Sequence, residues 1–599
     1  MSRFRWLIWA GITIAVAILI SCGSPSTPGD NDKPAQPGKQ TNLDNTVIAA
    51  EDLEPIQWDI GKPGGQIVYS SISAPKTFNY IVAAETSSTH VLGNIYEGLT
   101  TDDPVTSETI PNIAESWDIS EDGKTYTFHI RDAVKWNDGE PFTAHDVEFT
   151  FNDLIYNDNI PAPMRDLLII NGKRIKVTAL DERTVQFVTP TKFAPFLRLS
   201  GTAILPRHAY KKLVDDGSFQ YSLSVDSPPE SIIGAGPYMI ETYVPSQRIV
   251  LKRNPHYWKV DEAGNRLPYL DRIVIQIVQN EEVSLMQFKQ RQLDYLGVRG
   301  QDYPDLKPLE QQGDFTVYMT GVSTGSQFLF FNQNTGKDDA GKPYVNPIKL
   351  KWFRNKQFRK AVAHAIDRGS IIEVLMNGLG VPQWSPVGPG SPFFHNPDVP
   401  KYEYSPRKAR QILAEAGFKD IDGDGYVEDP DGNTVEFDLT TNSSSTRTDM
   451  AEMIRKDLER VGLKVHFMPL EFNMLVSKLD SSFDWEAMIL GLTGGVEPHG
   501  GSNVWQSRGH THMWFPRQEQ PSSEWEARIN ELFEQGAQEL DPEKRREIYN
   551  EWQMIAADEL PLIYTVLPRN IEALRNGLGN IRPTAYSGAF HSVERIYWK

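Results

Sequence analysis

Residues 420–431 carry the clearest chemical pattern in this chain of 599 residues. Counting Asp420 as position one, carboxylates stand at one, three, five, nine and twelve (Asp420, Asp422, Asp424, Glu428, Asp431), and Gly425 stands at six. Oxygen donors at that spacing, with the Tyr426 carbonyl added, can wrap one hard cation as a calcium loop of the EF-hand kind does. A structural Ca²⁺ with no catalytic duty is expected there, and an exposed Asp-Gly turn is the rival reading. His499, His510 and His512 fall close together, and imidazoles suit nickel or zinc. Their intervals match no helical or ribbon ligand pattern, and no cysteine joins them, so a metal-complex receptor is the weaker alternative. The chain carries no zinc-protease helix motif and no complete phosphate-binding loop with glycine five residues before Gly-Lys-Ser/Thr, which leaves a hydrolase as a rival class and ligand binding without turnover as the expectation.

Cys22 is the sole cysteine, and it ends an apolar run that follows Arg3 and Arg5. That run is too short for a comfortable membrane span and has the charged-then-apolar layout of an export signal. Residues 19–22 resemble the bacterial lipoprotein box, which implies cleavage before Cys22 and acylation of its sulfur. Each buried methylene contributes about 0.8 kcal/mol, so two or more acyl chains anchor stably where one does not. The polar, proline-rich stretch that follows reads as a flexible tether. The formal charge of −19 argues against a nucleic-acid partner. At 39% hydrophobic residues the body is an ordinary globular mixture, too long for a single core.

The first half reads as strand-rich. Residues 116–130 alternate around the turn Glu121-Asp122-Gly123, which predicts a hairpin with Tyr126, Phe128 and Ile130 on one face. Thr143 is placed to cap a helix from Ala144 through Val147 and Phe151, and further strands are expected at 247–252 and 272–279. In the second half Val435, Phe437 and Leu439 alternate, then Met450, Ile454, Leu458 and Val461 recur at helical spacing before Gly462. Strand, helix, strand, helix, strand through residue 492 predicts an α/β lobe with parallel pairing. Phe358, Val362 and Ile366 form a helical stripe, Ser370 with Glu373 predicts a capping box, and Ser405-Pro406 opens another helix that Gly417 ends.

The run AESWDISEDGKTYTFHIRDAVKWNDGEPFTAHDVEFTF from Ala114 closely resembles the signature of family 5 extracytoplasmic solute-binding proteins, the dipeptide and oligopeptide type of ABC-importer receptor. IYEGLT from Ile95, GAGPY from Gly234, LKRNPHYW from Leu251, LPYLDRI from Leu267, FRKAVAHAIDR from Phe358, SPRKARQILAEAGF from Ser405 and RREIYNEWQMIAADELPLIYT from Arg545 agree in order. The resemblance implies an α/β, two-lobed periplasmic-binding-protein-like fold of type II, enlarged as in peptide-binding members. The expected organisation is a signal peptide over 1–21, a tether over 22–56, and lobe 1 over 57–100, 226–320 and 561–599. An inserted subdomain of lobe 1 is expected over 101–225, and lobe 2 over 321–560. It also implies a monomer, lipid-anchored on the extracytoplasmic side, periplasmic or cell-surface, that closes on a peptide or oligosaccharide and docks on an ABC permease.

Ligands of open α/β sheets gather at strand carboxyl ends, which singles out the loop after residues 485–492, with Thr493, Gly494 and Glu497. The same loop lines the cleft of the family. Peptide-binding relatives carry there, four residues before a proline, an aspartate that pairs with the peptide ammonium; here that position is Gly494, and Glu497 is the candidate substitute. The resemblance also places Trp384, Trp485, Trp505 and Trp514 near the cleft, where indole faces suit sugar rings or bulky side chains, with core packing as the competing role. Trp384 and Trp505 are the preferred contacts, and Glu85 is a further one. For the anchor, the intact mass of the membrane-extracted protein should include diacylglyceryl on Cys22. Cys22→Ser should release the protein into the soluble fraction, and an unmodified wild-type cysteine would refute lipidation.

Overall fold

The computed structural model describes residues 56–599; the expected export signal, Cys22 and nearly all of the expected tether lie outside the described residues. The first lobe is built on a four-stranded sheet. Gln66–Ser71 pairs in parallel with Arg272–Ile277, which pairs antiparallel with Arg248–Arg253, and that in turn with Tyr238–Val244. Alternation sends Ile67, Tyr69, Ile249, Leu251, Ile273 and Ile275 into the core.

A second antiparallel sheet holds the hairpin Ala114–Ile119 and Thr125–Ile130, with Thr184–Val188 and Lys176–Ala179 beside it. Tyr126, Phe128 and Ile130 are buried, as their alternation requires. Thr143 caps Ala144–Phe149, and Asp146 completes the capping box by accepting the Thr143 N–H at 2.8 Å. The helix then widens into a π-helical turn, Thr150–Ile155, that turns Phe151, Leu154 and Ile155 inward. This sheet shares one core with the first, and the family segments explain how. The Gly236 N–H donates to the Ile95 carbonyl at 2.8 Å, and a Cβ at Gly234 would lie 2.1 Å from that same oxygen. Glu97 accepts from the Tyr257 hydroxyl and Trp258 indole, both at 2.8 Å, and from Lys259 at 3.2 Å.

The second lobe has a five-stranded sheet in the order Lys464–Leu470, Glu436–Asn442, Ala487–Leu492, Ser326–Phe331, Leu562–Tyr564. The first three run parallel, with Ser445–Glu459 and Phe472–Ser477 as crossover helices, and the last two complete it antiparallel. One expected cap differs. Helix Arg368–Met376 is capped by Asp367, whose carboxylate accepts the Ser370 N–H at 3.0 Å and its hydroxyl at 2.7 Å. Ser370 lies inside the helix because the Asp367 side chain upstream takes the capping position. Ser405 caps Pro406–Glu415 as expected.

Two chain segments cross between the lobes, and they pair with each other on both sides of the crossing. Phe315–Val322 lies antiparallel to Val566–Arg575 at the first lobe, and Ser326–Phe331 lies antiparallel to Leu562–Tyr564 in the second. The return therefore turns at Thr565, not at residue 561, because Leu562, Ile563 and Tyr564 are buried in the second sheet. Thr565 donates its N–H and hydroxyl to the Gln327 carbonyl at 2.9 and 3.0 Å.

Two residues expected at the ligand are structural instead. Trp505 is 3% exposed, with Trp514 at 5.3 Å and Trp552 at 5.4 Å between ring centroids, so its faces are spent on the core. The Glu497 carboxylate takes both arms of the Arg545 guanidinium, at 2.6 and 3.0 Å, with both side chains largely buried. Trp505→Ala should lower unfolding stability by about 3–5 kcal/mol through the cavity it leaves. Glu497→Ala should cost about 3–5 kcal/mol by stranding Arg545. Urea melts check both, and neither change should alter ligand affinity at 25 °C.

Candidate functional site

A cavity of about 820 Å³ lies between the lobes, a volume in the range of small-ligand sites. Its floor is the crossing itself, Ser323 to Gln327 from one segment and Leu567, Pro568 and Asn570 from the other. Ala84, Glu85 and Thr86 close it from the first lobe, and Arg447, Phe472, Gly491, Thr493, Gly494 and Arg517 from the second. Another cavity, about 750 Å³, lies on the first lobe around Glu97 and Asp102, but no second-lobe sheet contributes to it.

Glu85, Thr493 and Gly494 line this cavity, whereas Trp384, Glu497 and Trp505 do not. Trp384 packs against the second-lobe core with the Arg368 guanidinium 4.5 Å from its ring centre. Trp485 and Trp514 are core residues, and among the described residues no tryptophan lines the cavity. A Cβ at Gly494 would stand 1.6 Å from the Thr324 carbonyl oxygen, so an aspartate there would push against the crossing segment. The ammonium partner of the peptide-binding relatives is missing at Gly494, and Glu497 does not replace it, being held by Arg545.

Sequence reasoning missed Arg447. It stands in the first turns of Ser445–Glu459, beyond the carboxyl end of Glu436–Asn442, and the rule that selected the loop at Thr493 applies equally to this parallel neighbour. One arm of its guanidinium donates to Asn442 Oδ1 at 2.9 Å, and that is its only hydrogen bond among the described residues. Burial pulls its pKa down, and the Glu281 carboxylate opposes that shift. A desolvated guanidinium with open N–H donors recognises carboxylate oxygens. Arg508 and Arg517 add positive charge to the wall, Arg517 stacking 4.9 Å from the Phe483 ring centre. The acids of the wall are already engaged: Glu85 accepts the Ser88 hydroxyl and Asp480 pairs with Lys76 across the cleft at 3.4 Å.

The histidines do not assemble a metal centre. His512 Nδ1 faces the Val504 carbonyl at 2.8 Å and burial lowers its pKa to about 4; His499 Nε2 faces the Leu167 carbonyl at 3.1 Å and burial lowers its pKa too. In the acidic loop Asp420, Asp422 and Glu428 converge, Asp424 accepts the N–H of Tyr426, and Asp431 is drawn off to Lys351 at 2.8 Å.

Residues 108–513 match the description of bacterial extracellular solute-binding proteins, family 5. A probable ABC transporter-binding protein of Deinococcus radiodurans is 29% identical, over 87% of this chain and 90% of the relative. The oligopeptide-binding protein AppA of Bacillus subtilis, solved with a nonapeptide, superposes with a TM-score of 0.76 at 24% identity, covering 90% of this chain and 100% of that one. The periplasmic binding protein MelB of Agrobacterium fabrum, solved with stachyose, gives 0.79 at 21% identity, covering 90% and 86%. With a two-lobed α/β body and a cleft floored by paired crossing strands, the chain belongs to the family 5 bacterial extracellular solute-binding proteins.

Proposed function

We propose that this protein captures an oligopeptide-like solute by closing its lobes around it and delivers it to the permease of an ABC importer, held at the membrane surface by acylated Cys22. Solved relatives include one with a nonapeptide and one with stachyose, so the ligand class must come from the wall of the cleft. The observation that carries the peptide reading is Arg447, a cleft guanidinium whose open donors suit a carboxylate. The indole faces on which an oligosaccharide reading would rest belong to the cores.

Ser323, Thr324, Thr493 and Asn570 line the same cavity and offer a peptide further polar partners. The ligand is then held by its carboxylate and main chain, not by its ammonium. Contacts across the cleft accompany closure: Glu281 accepts from the Ser445 hydroxyl at 2.8 Å and N–H at 3.0 Å, and Asp166 accepts the His510 N–H at 2.6 Å.

Calorimetry and native mass spectrometry test this reading. A peptide should copurify with or bind to the protein, and Arg447→Ala should weaken a free-acid peptide by about 10–100-fold, the worth of a charge-assisted bond. Amidating the peptide carboxylate should cost wild-type affinity similarly and make the substitution nearly silent. A copurified oligosaccharide, or peptide affinity indifferent to Arg447→Ala, would overturn the proposal.

A further inference from the structure

The acidic loop lies outside the cleft, and its side chains are arranged differently from a twelve-residue calcium loop. Ligand oxygens of Asp420, Asp422 and Glu428 lie within 4.8 Å of one another. Gly423 and Gly425, at φ +82° and +94°, supply the left-handed turns that fold the loop back. The decisive group is Glu428, 5% exposed. One carboxylate oxygen accepts the Ile421 N–H at 2.7 Å, and the other, Oε1, is buried with no hydrogen-bond partner.

A buried carboxylate oxygen without a donor is costly, and two further carboxylates converging on it add repulsion. Among the described residues none of Asp420, Asp422 and Glu428 makes an ion pair; Lys351 is taken by Asp431 and Lys464 by Glu436. A cation satisfies all three at once. The donors are oxygen only, in an exposed loop with room for water, which favours a large hard ion with six to eight ligands over zinc, nickel or octahedral Mg²⁺.

We propose that Asp420, Asp422 and Glu428 bind one Ca²⁺ in a nine-residue loop, 420–428, that clamps a joint of the second lobe. Glu428 pairs through its backbone with Lys419 at 2.9 and 3.0 Å, and the neighbouring Val427 N–H donates to the Gly462 carbonyl at 2.8 Å. The ion therefore ties the chain leaving helix Pro406–Glu415 to the end of helix Ser445–Glu459 and the start of the central sheet. Affinity should fall near the range of extracellular calcium modules, with Kd of about 10⁻⁴–10⁻³ M.

The test uses the full chain stripped with chelator, titrated with Ca²⁺ by calorimetry and followed by thermal melting. One Ca²⁺ per chain and a Tm that rises with its concentration are expected. Asp422→Asn, an exposed change, and Glu428→Gln, which keeps an acceptor for the Ile421 N–H, should each weaken binding by about tenfold or more. Asp431→Asn should leave it unchanged. A folded wild-type protein indifferent to millimolar Ca²⁺ overturns the site, as does binding that survives the Asp422→Asn, Glu428→Gln double change. Equal loss in Asp431→Asn overturns the nine-residue ligand set in favour of the twelve-residue one.

Discussion

The rest of the structure depends on the pairing of the two crossing segments with each other. Were each to cross alone, two exposed strands would leave their N–H and C=O groups to water at the mouth of the cleft. Paired, they form one ribbon whose ends are built into a sheet of either lobe, and the ladder between them is interrupted at residues 323–327 and 565–568. The interruption is where the ligand cavity has its floor. The constraint also reaches sideways, since Gly494 lies so close to the Thr324 carbonyl that the cleft loop and the crossing cannot be chosen independently.

Buried arginines show how binding chemistry separates from framework chemistry. Arg359 donates to the Phe353 and Glu559 carbonyls, Arg368 to those of Tyr564, Ala363 and Tyr402, and Arg575 to those of Leu293, Gly313 and Phe288. Burial pushes Arg368 down to about 9, but each of its three nitrogens donates to a backbone carbonyl, so it serves to fix the return strand where it crosses. Arg447, part-buried at the cleft wall, has its pKa pulled down too, yet its guanidinium has one partner only among the described residues. Burial with unspent donors, more than burial itself, marks a side chain that awaits a ligand.

Much of this architecture is legible in the residues because local signals and burial agree. The hairpin around Gly123, the parallel strands of the second lobe and the cap at Ser405 all follow from period and turn chemistry. What fails is what one dimension does not encode. An indole at Trp505 suits a sugar face or a core equally well, and only the approach of Trp514 and Trp552 decides. Glu497 reads as a free cleft acid because its partner, Arg545, lies far along the chain. Asp431 fits the count of a calcium loop, yet Lys351, far upstream, claims it. Arg447 was within reach, since the strand-end rule covers every parallel strand of a sheet and not just one.

On the proposed function the ligand decides closure, and the ion pair across the cleft is suited to that. Lys76 and Asp480 meet with side chains 39% exposed on both sides, a setting in which an ion pair contributes about 0–1 kcal/mol. Stronger protein-only contacts would hold the lobes shut without cargo, and a ligand shifts an equilibrium only by its differential affinity for the two states. The bidentate ion pair of Glu497 with Arg545 lies inside the second lobe, where it cannot bias closure. Arg447, with donors to spare, lines the cleft beside the crossing, and on the proposed function a solute carboxylate completes it and adds its free energy to the closed form.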